Sequence, residues 1–279
     1  MFNFQSESQY FVPMLQVLVT LGLVPIISYL RYLYLARAFA CPAFPAAKPA
    51  IAKHTNNSLK VFMPLTFVCF AFGIAVAWQA QSNQSELFNW DNQAGLMVLF
   101  FIAAIPILHI ALKQKQLYAI LLQYTDTIRT ASLKPIKWYQ LLSPSLVLAV
   151  VAAQLLFVST VFYFKQHPFP GFAGYANLLG ALLLNGVFIT TLFTIYRSNQ
   201  FKAIKLPEHR QAIKSKLLDV NLVIWLIALL NLSLTLWISG TQWVEYKLLV
   251  QSLYLQFVIV TMAYTLTLPA SVIKAADQP

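Results

Sequence analysis

The sequence predicts an all-α integral membrane protein of seven transmembrane helices, with its N-terminus outside and its C-terminus inside. Three observations predict it. First, 59% of the 279 residues are hydrophobic and only 10% charged, with a mean hydropathy of +0.67, whereas a soluble domain carries about a quarter charged residues. Second, seven apolar stretches reach the length of about 20 residues that spans a bilayer. Third, the basic residues alternate between connections. Arg31, Arg37, Lys48, Lys53 and Lys60 fall in residues 31–60 from the end of the first stretch onward, Lys113, Lys115, Arg129, Lys134 and Lys137 follow the third, Arg197, Lys202, Lys205, Arg210, Lys214 and Lys216 the fifth, and Lys274 the last. These are 17 of the 19 Lys and Arg residues; the opposite connections hold Lys165 and Lys247 beside Glu86, Asp91 and Glu245. Positive charge marks the cytoplasmic side, and an odd number of spans agrees with the orientation that this gives.

The first span covers residues 11–36. Only Glu7 precedes it as a charge, and its apolar part is long, so it reads as a span and not as a cleaved leader. The second, 60–80, carries Pro64 near its start and the small residues Ala71, Gly73, Ala75 and Ala77. The third, 94–112, contains Pro106 and His109. Beyond it, Leu117, Tyr118, Ile120, Leu121, Tyr124 and Ile128 keep a helical spacing, so the helix continues or lies on the membrane surface. The fourth, 141–164, begins near Pro144 and holds Gln154; the fifth, 174–196, holds Gly174, Ala176, Asn177, Gly180, Ala181, Asn185 and Gly186. The sixth, 219–239, holds Asn231 and Ser233, and the seventh, 247–268, holds Gln251 and Gln256. No connection exceeds about thirty residues, so the chain reads as one polytopic domain over residues 1–279. Small residues let helices approach closely in lipid, which makes the second and fifth spans the expected centre of the bundle. Trp78, Trp90, Trp237 and Trp243 fall at one set of span ends and Trp138 and Tyr139 at the other, as interfacial belts do.

One phrase recurs. Val24-Pro25, Ile105-Pro106 and Leu268-Pro269 each precede a short apolar run ending in a basic residue, at separations of 81 and then 163 residues. The fourth slot, near 186, reads "GVFITTLFTIYR" and keeps the run without the proline. A period of about 81 residues holds two spans, so it would build three parallel two-helix repeats plus one helix. Pro25, Pro106 and Pro269 are accordingly candidate bends, because proline removes a backbone hydrogen bond and clashes with the preceding turn. The bends would either open a vestibule or merely splay helix ends.

The chemistry of the chain is sparse. Its eight acidic residues avoid span interiors, which argues against proton or cation carriers built on intramembrane carboxylates. Cys41 and Cys69 are its only cysteines, and they support neither a disulfide nor a metal site. Of four histidines only His109 lies in a span; it reads either as an interhelical hydrogen-bonding group or as a titratable one. No phosphate cradle or nucleophile elbow occurs, so no cofactor, metal or catalytic residue is expected. The candidates for lining a ligand pocket are His109, Gln154, Asn177, Asn185, Asn231, Gln251 and Gln256, whose uncharged polar groups should turn away from lipid. Scattered over several helices with no shared phrase, the same residues read more readily as interhelical glue. The basic connections point to anionic lipid headgroups and away from nucleic acid.

Two functions follow. The first is a non-catalytic component of an inner (plasma) membrane, an accessory subunit, anchor or assembly factor that binds another membrane protein or a second copy of itself. The second is a permease or lipid-handling transporter with an uncharged intramembrane pocket.

Overall fold

The computed structural model describes residues 11–39, 45–83, 94–124, 138–198, 207–243 and 246–266. They contain helices and turns, with no strand among them. We number the long helices α1 (residues 11–39), α2 (Lys48–Asn83), α3 (Ala94–Tyr124), α4 (Pro144–Gln166), α5 (Ala176–Arg197), α6 (Pro207–Gly240) and α7 (Lys247–Leu266). Short 3-10 turns, Pro45–Ala47 and Trp138–Leu141, precede α2 and α4. All seven long helices are long and apolar enough to cross a membrane.

Three helices exceed their apolar stretches. α2 has 36 residues, α3 31 and α6 34. At 1.5 Å per residue these are roughly 45–55 Å long, against a hydrocarbon core of about 30 Å. The excess is polar: Lys48, Lys53 and His54 open α2, Lys113 and Lys115 sit in the second half of α3, and Arg210, Lys214 and Lys216 open α6. Reading apolar runs alone places the starts of α2 and α6 about twelve residues late, because solvated helical turns carry no hydropathy signal. The expected continuation of α3 past residue 112 is observed up to Tyr124; Ile128 lies outside the described residues.

By backbone contacts the chain forms two compact units, with α6 and α7 contributing residues to both. One comprises α1 from Pro13, α2 and α3, with residues 207–213 of α6 and 255–266 of α7. Here α2 and α3 make the most extensive pairing. Leu96, Leu99, Ala103, Ile107, Ile110 and Leu117 of α3 are buried at the three- and four-residue steps that place side chains on one helix face. Gly73 of α2 is a close contact with both neighbouring helices. A Cβ there would overlap the Leu21 side chain of α1 and stand 3.5 Å from Leu99, so hydrogen is the only side chain that leaves Leu21 in place.

The π turns of α1, Val17–Leu23, run directly into Val24-Pro25. Pro25 has no N–H and cannot accept the carbonyl four residues back within its ring's space, and the widened ladder shifts the bonding to five residues, Val24 N–H donating to the Val19 carbonyl. Ser28 then donates its hydroxyl to the Val24 carbonyl at 2.8 Å. Pro106 is accommodated differently, buried within an unbroken α-helix. Pro269 lies outside the described residues.

The other unit comprises the described residues 138–197 and 214–254, with 11–12. α4 turns Val150, Ala153, Phe157, Val161 and Phe164 inward. Val150 and Ala153 pack with Leu222 and Leu229 of α6, and Phe157 and Val161 with Ala181 of α5. Above them the rings of Phe164, Phe169, Phe172 and Trp237 lie 5.1–6.2 Å apart in contacting pairs. A Cβ on Gly240 would fall on the Phe164 ring. The connecting turn takes positive φ at Gly171 (84°) and Gly174 (60°), the left-handed region where a side chain is costly.

The small residues of α5 do not place it at a bundle centre. Only 6% of its apolar window is buried, against 50% for α1 and 44% for α3, and nothing lies within 4 Å of a Cβ built on Gly180 or Gly186. Small side chains permit close approach without enforcing it; the exposed Leu179, Leu182, Leu183 and Val187 between them are at home in lipid. In α2, by contrast, Gly73 is buried against two helices.

Candidate functional site

Two places collect polar side chains, one in each unit. In the three-helix unit, α1 presents Tyr29 and Tyr32 one turn apart, α2 presents Thr55 and Ser58 one turn apart, and α3 presents His109. Tyr32 and Ser58 are fully buried and Tyr29 nearly so. The Tyr29 and Tyr32 rings lie 6.0 Å apart, and Tyr29 stacks on Phe62 at 4.7 Å. The Thr55 and Ser58 hydroxyls approach the Tyr32 hydroxyl, and His109 approaches the Ser58 backbone with Lys113 one turn on. Yet Tyr29 OH, Tyr32 OH, Thr55 Oγ1, Ser58 Oγ and His109 Nε2 are all buried without hydrogen-bond geometry to any described residue. Lys113 is held nearby, its carbonyl 3.0 Å from a His54 ring nitrogen and its Nζ donating to Gln116 at 3.1 Å. Of this cluster the sequence singles out only His109. The signal for the rest is the i, i+3 spacing of two tyrosines and two hydroxyls, and Thr55 and Ser58 escape notice because α2 begins well before its apolar run.

Elsewhere in this unit Thr66 Oγ1 is also buried without a partner among the described residues, while other polar groups are satisfied. Gln16 is fully buried and donates from Nε2 to the Leu96 carbonyl at 3.0 Å. Thr20 donates to the Gln16 carbonyl at 2.6 Å. The Arg31 guanidinium sits 4.5 Å from the Tyr264 ring centroid. Gln256 is buried and also has a partner.

In the other unit Asn185 of α5 ties three helices. Its Nδ2 donates to Gln154 Oε1 of α4 at 3.2 Å, and its Oδ1 accepts from Trp225 Nε1 of α6 at 2.8 Å. Trp225 stacks on Phe188 at 5.7 Å, and Asn221 donates to the Phe188 carbonyl at 3.3 Å. The base of α6 clips the ends of its neighbours. Lys214 Nζ donates to the Tyr196 carbonyl in the last turn of α5 at 2.7 Å, where a cation favours the helix dipole. Ser215 donates to the Leu141 carbonyl at 2.8 Å, and Asp219 Oδ1 accepts from the Ser143 N–H, at the start of α4, at 3.0 Å.

Next to this network lies a partly open apolar cavity of about 320 Å³. Its wall is Leu142, Val147, Val150 and Val151 from the start of α4, Ile189, Leu192, Phe193 and Tyr196 from the end of α5, and Leu218, Leu222 and Trp225 from α6. Gln154 and Asn185 are not in that wall; they spend their polar groups on each other and on Trp225.

The remaining candidates are dispersed. Asn177 donates to the Gly174 carbonyl at 2.9 Å and so fixes the turn that enters α5. Asn231 accepts Thr235 on its carbonyl at 2.8 Å while its Oδ1 is buried without a partner among the described residues. Gln251 is half-buried. His109 and Gln256 belong to one unit and Gln154, Asn177, Asn185, Asn231 and Gln251 to the other. Among the described residues no three His, Cys, Asp or Glu side chains are grouped to hold a metal. The chain matches no protein family, no curated protein and no solved structure.

Proposed function

We infer that this is a non-catalytic, multi-pass component of an inner membrane, N-terminus outside and C-terminus inside, that acts by binding another membrane protein along α5. The observation that carries this reading is the division of α5 into two faces. Its inner face, with Ala181, Asn185, Leu192 and Tyr196, is spent on α4 and α6. On the opposite face Ala176, Gly180, Leu183, Val187, Thr190 and Thr194 form a stripe at helical spacing, exposed from end to end. Ala176 and Gly180, four apart, are the small-residue pair that lets a second helix backbone approach. Thr190 and Thr194 return their hydroxyls to their own helix at 2.7 and 2.8 Å, so covering them strands no donor. The basic helix extensions suit anionic headgroups, and a three-fold repeat of helix pairs is compatible with the recurring proline phrase.

The test is gentle purification at native abundance, with mass spectrometry of what comes along, for the wild type and for Gly180→Leu. The added side chain enters open space, so the variant keeps its own fold, and the expected result is loss of a stoichiometric protein partner. An identical set of partners in both preparations would remove α5 as the docking face.

A second reading, a permease for a small polar or amphiphilic solute, is favoured by the five unpartnered polar atoms around Tyr32 and His109, which a bound hydroxylated solute or water would satisfy. Uptake that survives Tyr32→Phe and His109→Leu together would argue against it.

A further inference from the structure

We propose that the cavity between the start of α4 and the end of α5 is a binding site for one anionic phospholipid, its acyl chain in the cavity and its phosphate at the first turn of α4. The inference is independent of the partner-binding reading and of the polar cluster in the other unit.

The wall of the cavity is hydrocarbon apart from the Trp225 and Tyr196 rings, and Trp225 has its indole N–H committed to Asn185. A site in which no wall atom asks for a hydrogen bond is unsuited to a sugar, a nucleotide or an ion. At about 320 Å³, and with each methylene taken as about the size of a water molecule, it holds a run of roughly ten methylenes. It lies in a helix bundle long enough to cross a membrane, where acyl chains are the solvent.

The end of the cavity selects the headgroup. Leu142 and Val147 bracket the N-terminus of α4, where Pro144 occupies the first turn. The N–H groups of Ser145 and Leu146 have no carbonyl within the helix to bond, the general condition of a helix start, and together with the dipole they favour an anion. The Ser143 side chain does not cap the helix; its hydroxyl pairs with that of Ser145 at 2.9 Å, both at an exposed position. At the same end α5 finishes in Tyr196, a wall residue, followed directly by the exposed Arg197. Lys214 is fixed on the Tyr196 carbonyl, which puts its charge at this end of the cavity. Against Arg197 and Lys214 there is, among the described residues at this end, Asp219, and its carboxylate is engaged by the Ser143 N–H. Positive charge therefore exceeds negative where the phosphate would lie, while the tail points to the hydrocarbon wall. A zwitterionic phosphocholine offers the same phosphate but adds a quaternary ammonium, which Arg197 and Lys214 disfavour by like-charge repulsion.

Trp225 is a built-in reporter, because bromine on an acyl chain quenches an indole that it touches. The other five tryptophans, Trp78, Trp90, Trp138, Trp237 and Trp243, are replaced by Phe, and the protein is reconstituted in phosphatidylcholine vesicles containing a few mole per cent of brominated lipid. Brominated phosphatidylglycerol is expected to reach half-maximal quenching at a mole fraction at least fivefold lower than brominated phosphatidylcholine. Arg197→Gln should shrink that difference to less than twofold, and Val151→Phe, which fills the cavity from its wall, should reduce quenching by both lipids. Equal quenching curves for the two lipids would overturn the proposal, since Trp225 would then be reporting bulk lipid. Should the single-tryptophan protein fail to reconstitute, wild-type protein from mixed phosphatidylglycerol–phosphatidylcholine micelles is read by native mass spectrometry. One retained phosphatidylglycerol, lost on Arg197→Gln, supports the site, and retention without headgroup preference overturns it.

Discussion

Replacing Asn185 by Leu separates the two roles that uncharged polar residues play in membrane helices. Asn185 makes two side-chain hydrogen bonds, to Gln154 at 3.2 Å and from Trp225 at 2.8 Å. Leu has similar bulk and suits lipid better, so packing is preserved while both bonds vanish. Interhelical bonds in membranes contribute about 0.6 kcal/mol each on average and up to about 1.7. Two of them give a loss of about 1.2 kcal/mol, the shorter Trp225 bond carrying the larger part. The orphaned indole N–H, with α4 on one side and Phe188 stacked on its ring, raises the expected total to about 1.5–3 kcal/mol. This is roughly a tenfold or greater fall in the folded-to-unfolded ratio. The assay is reversible unfolding in mixed micelles titrated with sodium dodecyl sulfate, followed by tryptophan fluorescence. Gln154→Leu is run alone and together with Asn185→Leu. Because both changes remove the same Gln154–Asn185 bond, the double variant should cost about 0.6 kcal/mol less than the sum of the singles. A change below about 0.3 kcal/mol for Asn185→Leu, the ordinary scatter of additive comparisons, would refute the view that Asn185 is interhelical glue.

Glycines in the two units should respond in opposite directions. Gly73→Val forces the buried Leu21 out of its position and is expected to cost about 1–3 kcal/mol, as overpacking does, whereas Gly180→Ala meets nothing and should stabilise the isolated protein by about 0.5–1 kcal/mol through helix propensity; the same unfolding titration reads both. Asp219→Ala removes the acceptor of the Ser143 N–H and should lower stability by about 1 kcal/mol, in the range of a lost helix cap, with Asp219→Asn retaining most of it. For orientation, a membrane-impermeant maleimide should leave Cys41 unlabelled in intact cells and label it in inside-out vesicles, while the buried Cys69 reacts in neither until the protein is denatured. Labelling of Cys41 from outside would reverse the proposed topology.

The number and course of the membrane helices are written in the sequence itself, because a span must be apolar along its whole length wherever its neighbours lie. That is why residues 94–112, read as a hydrophobic run, fall within the membrane span of α3, and the run that begins at 247 begins with α7. Helix ends in the aqueous layer carry no such obligation, and there hydropathy failed: Lys48, Thr55 and Ser58 are helical but polar. Individual polar residues in spans were legible as inward-turning, since hydrocarbon penalises them, but not as partners. Gln154, Asn185 and Trp225 are 31 and 40 residues apart in the chain, and only helix packing decides that their polar atoms meet. The same holds for small residues. Gly73 and Gly180 are equivalent in composition, and the tertiary structure alone makes one a contact point and leaves the other open to lipid, because closeness is a property of two helices and a sequence pattern describes one. Pro25 and Pro106 share a phrase, yet one follows a π segment and the other lies in regular α-helix, since the ladder can widen by one residue wherever the surrounding packing admits it. The cavity at the head of α4 had no sequence signal at all: its wall is made of Val, Leu, Ile and aromatic residues like those of any span, and a void is defined by what three helices fail to fill.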